Sequence, residues 1–431
     1  MSSSTKLEIS PSIPSHPFRQ VRWQILFLLF LITVINFIDR QTLSVVAPLL
    51  LQTFHMSNLD YSRMVSAFML GMMLGEYPVG WIMDRFGARL GFSFAVLWWS
   101  VATALHSVGR SVLQFSLFRF WMGTGECGNF SGGMKVVSDW FPERERALAV
   151  GIFNSGSMIG AVVAPPSIVF LTLHFGWRAA FLLPALLGAI WVVLWRAKYA
   201  SLAEHATVSE IEKAYILQGR SAVVASPGKK DLLARKEVWG LMLCRFLVGP
   251  VVQFYWFWTP LYLSRSRGLS LAQIGLFAWV PFLFGDIGSI GGGWAAGFLL
   301  RHGFSLSAAR FLTMYTGALC CLLSLGVVHA GTAAIAISFI CLVLFGHTFL
   351  SANMFAAISD LVPKPAVGRV TALTGIAGGL SGFFFPQLTG LLIDRISYVP
   401  VFSLAALMPL AGVMALHGTV GKRQLNVRNK W

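Results

Sequence analysis

The sequence predicts an all-α membrane protein, with twelve transmembrane helices arranged as two pseudo-symmetric bundles of six. Three observations carry this. Hydrophobic residues make up 56% of the 431 positions and charged residues only 12%. Windows of about 20 mostly apolar residues, the length that spans a bilayer, recur along the whole chain. The most polar internal stretch falls midway, between the sixth and seventh windows. The twelve windows lie near 23–48, 60–83, 90–108, 112–138, 147–173, 178–198, 238–263, 271–300, 308–328, 332–358, 369–393 and 399–419.

In chain order, residues 1–22 form a polar N-terminal tail without an apolar run. No cleavable signal is expected there, so the first helix stays as an internal anchor. Residues 23–198 form the first six-helix bundle and 238–420 the second, followed by a short tail at 421–431. Between the bundles, 199–237 carries charges of both signs with Ser, Pro and Gly, which predicts a solvated linker. Within it, SEIEKAYIL suits a short amphipathic helix at an interface. The halves echo each other. Gly80-xxx-Asp84-Arg85-x-Gly87-x-Arg89 follows span two, and Gly297-xxx-Arg301-His302-Gly303 follows span eight. Two related halves around a midplane cavity is a transporter plan. Glycine-dense stretches in spans four, eight and eleven fit it, because small residues let helix backbones approach closely.

Net charge is +16, but its distribution argues against a nucleic-acid partner. With the N-terminus inside, 23 Lys and Arg fall on the cytoplasmic side, six on the outer side (Arg63, Arg110, Arg178, Arg265, Arg267 and Arg395) and four (Arg40, Arg119, Lys135 and Arg245) within helices. That is the positive-inside pattern, with both termini cytoplasmic. The five cysteines, Cys127, Cys244, Cys320, Cys321 and Cys341, all lie in apolar helices at no metal-binding spacing, so packing is expected of them. A metal is not expected, and neither is a cofactor other than a coupling proton.

Charges at bilayer depth cost roughly 2.5–3.5 kcal/mol each on insertion scales and are functional by default. Asp39 and Arg40 lie ~25 Å along span one, while Arg119 lies ~12 Å in from the outer end of span four, which puts the arginines at comparable depth. Glu126 is two turns past Arg119 on the same face, ~10 Å deeper, and Asn129 extends that stripe. Two arginines at one depth suit a carboxylate, which they bind through bidentate charge-assisted hydrogen bonds. Asp39 and Glu126, acids in low dielectric near arginines, are candidate proton carriers. The alternative is that Arg119–Glu126 and Arg40–Asp39 merely neutralise one another.

Other polar groups are candidates for the rest of a solute. Arg245 opens span seven and either faces the cavity or snorkels to the surface. Gln253 and Tyr255 sit in an aromatic run before Thr259-Pro260, and Asn154, Ser157 and Asn353 offer further hydrogen-bonding groups. Asp286, among glycines, suits bracing a helix crossing. Glu76 lies near the inner end of span two. Lys135 and Asp139 suit a latch, and His347 a satisfied buried polar group.

The Gly80 to Arg89 motif resembles the loop signature of the major facilitator superfamily. In it, Gly80 would permit a close helix crossing, Gly87 a tight reversal, and Asp84 would sit at a helix N-terminus, where the macrodipole favours an anion. Arg85 and Arg89 would anchor the cytoplasmic side, and the resemblance implies a latch between the bundles. Ile35-Asn-Phe-Ile-Asp39-Arg40, Arg119-Phe-Trp-Met-Gly-x-Gly-Glu126, Trp140-Phe-Pro-x-x-Glu145-Arg146 and Gly151-Ile-Phe-Asn154-Ser-Gly resemble the anion:cation symporters of that superfamily. Arg245-Phe-Leu-x-x-Pro250 and Gly285-Asp286-Ile-Gly-Ser-Ile-Gly-Gly-Gly-Trp294 look most like bacterial hexuronate transporters. The resemblance covers about 24–420 and implies proton-coupled import of glucuronate, galacturonate or a related sugar acid; an inner membrane is the expected location, and a monomer is the default where the sequence does not indicate oligomeric state. It places Arg40 and Arg119 at the substrate carboxylate, with Asp39 and Glu126 as the protonatable acids, and sets Arg245 facing the substrate. Met72 and Ser157 depart from the Tyr and Gln of some aldonate carriers, which weakens a galactonate assignment. An enzyme is not expected: the outer loops are short, and no His/Asp or metal constellation lies near a membrane face. A drug antiporter, a neutral-sugar carrier or an organic-anion exchanger is the rival within transporters.

Overall fold

A computed structural model describes residues 20–205, 207–217 and 232–420, and all regular structure among them is helical. Residues 1–19 of the N-terminal tail, all of the C-terminal tail, and 206 and 218–231 of the linker therefore lie outside the described residues. The first half comprises α1 (Val21–Thr53), α2 (Asn58–Leu105), α3 (Val112–Glu126), α4 (Gly128–Trp140), α5 (Glu143–Phe175) and α6 (Trp177–Lys198). The expected short linker helix is α7 (Glu210–Leu217). The second half comprises α8 (Lys236–Arg267), α9 (Leu271–Phe277), α10 (Val280–Arg301), α11 (Leu306–Cys321), α12 (Ser324–His329), α13 (Ala333–Leu361), α14 (Lys364–Arg395) and α15 (Val399–Val420).

Among the described residues, ten helical stretches are long and apolar enough to cross a membrane. The difference from twelve has two causes. Helix α2 holds the second and third predicted spans and doubles back at Gly87, whose φ of 75° is open to glycine at little cost. The fourth predicted span is divided at Cys127 into α3 and α4, each too short alone. Spans eight and nine are likewise interrupted, giving α9–α10 and α11–α12.

Helix starts follow their side chains. Ser57 and Asp60 form a capping box at the start of α2, as Ser270 and Gln273 do at α9. At the end of α8, Gly268 adopts φ 69°, and the amides of Gly268 and Leu269 turn back to Ser264 and Leu263.

The echo between halves extends to packing. In the first, Gly71 and Gly123 bring α2 and α3 so close that an added Cβ would meet backbone carbonyl oxygens. In the second, Gly288 and Gly292 do the same for α10 against Phe345 and Phe349 of α13. Four cysteines are buried and Cys320 is half-buried; all five are free thiols.

The end of the bundle where α1 starts is called the near end, and the opposite one the far end. The hydrogen bonds that join the halves gather toward the far end. Ser44 Oγ donates to the carbonyls of Trp256 and Phe257 at 2.9 and 3.0 Å, and Tyr61 donates to Phe257 at 2.6 Å. Ser66 Oγ donates to the Phe383 carbonyl. The Asp394 carboxylate, at the end of α14, accepts from the Asn58 side chain at 2.7 Å and from the Leu59 amide at 2.8 Å, capping α2.

The near end is held differently. The Glu212 carboxylate of α7 accepts from the amides of Val21 and Arg22, and Arg22 also pairs with Glu145, to which Tyr215 donates. These ties strap α7 to the first half alone.

Candidate functional site

Between the halves lies a chamber of about 250 Å³. Arg40 on α1 and Arg245 on α8 both line it, with Glu76, Cys127, Gln253 and Trp256 among its other walls. It extends toward the near end, where Glu76 and Phe130 are exposed. The far end above it is sealed by the hydrogen bonds just described.

Arg40 reaches Glu126 twice, from Nε at 3.1 Å and Nη2 at 3.0 Å, and Nη2 also donates to Asn36 Oδ1. Its guanidinium lies 4.8 Å from the Phe37 ring centroid and 5.5 Å from that of Phe68. Glu126 is buried at the junction of α3 and α4. The sequence reading placed Glu126 deeper than Arg40; a long side chain bridges that step. The ion pair is therefore Arg40–Glu126, in place of Arg119–Glu126 and Arg40–Asp39.

Arg119 does not reach the chamber. It is 0% exposed, donates to the Arg40 carbonyl at 3.2 Å and to Met122 Sδ, and stacks its guanidinium 4.8 Å from the Phe68 centroid. Of the two arginines, only Arg40 opens onto the cavity. Asp39 is fully buried on the side of α1 turned from the chamber, beside the Trp99 indole. Asn129 donates to Thr33 Oγ1 of α1 and so also faces a neighbouring helix.

Arg245 faces the cavity, with its guanidinium 4.9 Å from the Phe355 ring centroid. Gln253 joins it on the same wall. Tyr255 does not: it is buried within the second half, bonded to Ser324 Oγ at 2.7 Å and packed on Phe402. Asn353 is also buried away from the chamber. It accepts from Arg310 at 3.0 Å and donates to the Gly292 carbonyl, and Arg310 continues to Asp360 at 2.8 Å. These two residues brace helices. Asn154 is exposed and its carbonyl accepts from Ser157, which lines a smaller chamber of about 80 Å³ beyond Trp256. His347 is buried and donates from Nε2 to the Val248 carbonyl at 2.9 Å, which satisfies one ring nitrogen, while Nδ1 has no partner among the described residues.

The Gly80 to Arg89 turn departs from expectation in this state. Asp84 pairs with Lys135 of its own half at 3.0 Å, and it sits before the reversal instead of at a helix start. Among the described residues, no atom lies near enough to Gly80 to mark a helix crossing. Arg89 donates to the Arg196 carbonyl, and Arg85 lies over its neighbours Trp81 and Phe86. Sequence reasoning missed Trp256 as a cavity wall and Asn36 as the Arg40 partner. Arg245, Gly249, Gln253 and Trp256 recur at helical spacing, a stripe that would have pointed to the first.

A helical bundle whose halves enclose a charged chamber, sealed at one end, defines a membrane transporter rather than an enzyme. The chain belongs to the Major Facilitator Superfamily, whose family model matches residues 29–386. It is 30% identical to the hexuronate transporter of Escherichia coli (strain K12), over 92% of this chain and 93% of that protein. It is 29% identical to a probable galactarate/D-glucarate transporter of Bacillus subtilis (strain 168), over 90% and 89%. The fold is shared with a solved D-xylose-proton symporter at a TM-score of 0.71 and 15% identity, covering 93% of this chain and 98% of that one. A bacterial homologue of the lysosomal transporter Spinster superposes at 0.69 with 18% identity, covering 94% and 93%.

Proposed function

We propose that the protein is a proton-coupled symporter that imports a hexuronate or related sugar acid across a bacterial inner membrane by alternating access. The observation that carries this reading is Arg40 on the wall of a chamber shared by both halves, its guanidinium paired with the buried Glu126. The near end, where the basic residues concentrate, is cytoplasmic, and the far end faces outward. The structure then corresponds to an inward-open state.

Coupling follows from competition for one guanidinium. A substrate carboxylate and the Glu126 carboxylate both seek Arg40, and a second anion beside an existing pair is repelled. Protonating Glu126 removes its charge and frees Arg40 for the substrate. Releasing the proton inward restores the pair and expels the anion. Arg245 supplies standing attraction from the opposite half, and Gln253 an amide for a carboxylate or hydroxyl oxygen. Arg119 holds the α1 backbone at Arg40, a positioning role, while Asp39 is the second buried acid available to a proton.

Uptake into proteoliposomes under an inward proton gradient tests this. Arg40→Ala is expected to reduce sugar-acid uptake to background. Glu126→Gln, fixed in the uncharged form, is expected to retain substrate exchange while losing gradient-driven accumulation. Concentrative uptake by Glu126→Gln at the wild-type level would overturn Glu126 as the coupling group.

A further inference from the structure

Trp256 is a wall shared by two chambers. On one side stand Arg40 and Arg245. On the other, the chamber of about 80 Å³ is bounded by α5 of the first half and by α10 and α13 of the second. Its polar groups are Ser157, Asp286 and Thr348, and its aromatic walls are Phe37 and Trp256, whose rings meet edge to face at 5.9 Å.

The chemistry of this chamber is one-sided. Ser157 Oγ commits its hydrogen to the Asn154 carbonyl at 2.6 Å, and Thr348 Oγ1 commits its own to the Gly285 carbonyl. Both hydroxyls therefore face further partners as acceptors only. Asp286, half-buried in the middle of a membrane helix, makes no ion pair or hydrogen bond among the described residues. An intramembrane carboxylate without a countercharge marks a site. An acceptor-only set recognises donors, and a carboxylate can accept from two adjacent hydroxyls at once. Aromatic walls suit the C–H faces of the same carbons. The space corresponds to about two or three water-sized groups.

We infer that Asp286, with Ser157 and Thr348, forms a hydroxyl-binding subsite that receives the polyol portion of the substrate, while the carboxylate is held at Arg40 across Trp256. The inference rests on the sugar-acid reading and adds orientation to it. The charge of Asp286 repels the substrate carboxylate, so the acid binds one way round. Because the subsite draws on both halves, a bound sugar also ties α5 to α10.

The test is equilibrium binding to the purified full-length transporter, using D-glucuronate and cyclohexanecarboxylate. The second probe keeps a six-membered ring and a carboxylate but has no hydroxyls. Wild type is expected to prefer glucuronate. Asp286→Asn, which replaces one strong acceptor by an amide and removes its charge, is expected to weaken glucuronate about tenfold or more while cyclohexanecarboxylate binds as well as to wild type or slightly better. Ser157→Ala, which keeps Asp286 intact, is expected to weaken glucuronate about threefold with the same selectivity. Wild-type affinity for glucuronate in both variants would overturn the subsite while leaving the transport reading in place, as would equal loss of both probes. Failure of wild type to bind glucuronate, galacturonate and glucarate alike would instead overturn the sugar-acid reading itself.

Discussion

Each half of the molecule presents one arginine to the same chamber, and the two are equipped differently. Arg40 has a carboxylate at 3.0 Å, whereas Arg245 has an aromatic ring at 4.9 Å and, among the described residues, no acidic partner. A guanidinium with a built-in counterion must exchange one anion for another. One without it is a standing attraction, relieved whenever an anion arrives. The first half thus holds the switch and the second half the anchor.

The sharpest way to break this distinction is Arg245→Ala. Removing one partner of a desolvated charge contact typically costs 2–5 kcal/mol, or roughly 30-fold or more in affinity. Sugar-acid binding to Arg245→Ala is expected to weaken by about that factor at every pH alike. Arg40 variants should instead alter the pH profile, since Glu126 acts through them. A loss in Arg245→Ala that varies with pH as it does for Arg40 variants would erase the difference between switch and anchor.

A smaller effect is expected at the far-end seal. Asp394→Asn keeps the shape but weakens a charge-assisted cap on α2. Both arginines should then be reached more often from the far side. The natural Cys127, on the chamber wall, reports this: its labelling by a membrane-impermeant thiol reagent added on that side should rise a few-fold. Unchanged labelling would place the hold on the halves elsewhere, in Tyr61, Ser44 and Ser66.

The smallest effect tests whether the near-end strap contributes to the asymmetry. Burial and then the Glu145 carboxylate raise the Tyr215 phenol above its ordinary value near 10. Its hydrogen bond is therefore fully present below pH 10 and lost only as pH rises through that raised value. Tyr215→Phe is expected to speed hydrogen exchange across 210–217 severalfold at neutral pH while transport stays within about twofold. A large transport defect would connect the strap to the switch.

How much of this was legible depended on what sets each feature. The helices follow from apolar length, and the Gly87 reversal from a residue that tolerates positive φ. Arg40 was legible because an ion in an apolar helix is rare. Its partner was not, because spacing fixes backbone depth while the Arg40 side chain reaches well beyond its own level. Tyr255 and Asn353 were misjudged for a related reason. Helices in this bundle are apolar on most faces, so composition alone does not say which face meets the cavity. On α8 the polar stripe from Arg245 to Trp256 does say so, and Tyr255 lies off it. The latch at Asp84 could not be placed because a contact between halves depends on the state, and here Asp84 pairs within its own half.

One consequence of the Asp394 cap concerns the ease of motion. The amide donors it satisfies belong to the other half, so separation at that side uncovers helix-terminal N–H groups and a carboxylate at an exposed rim. Every group released there is one that bulk solvent can hydrate at once. Water acts as the lubricant of that joint, and the passage to the opposite state strands no bare charge in the bilayer interior.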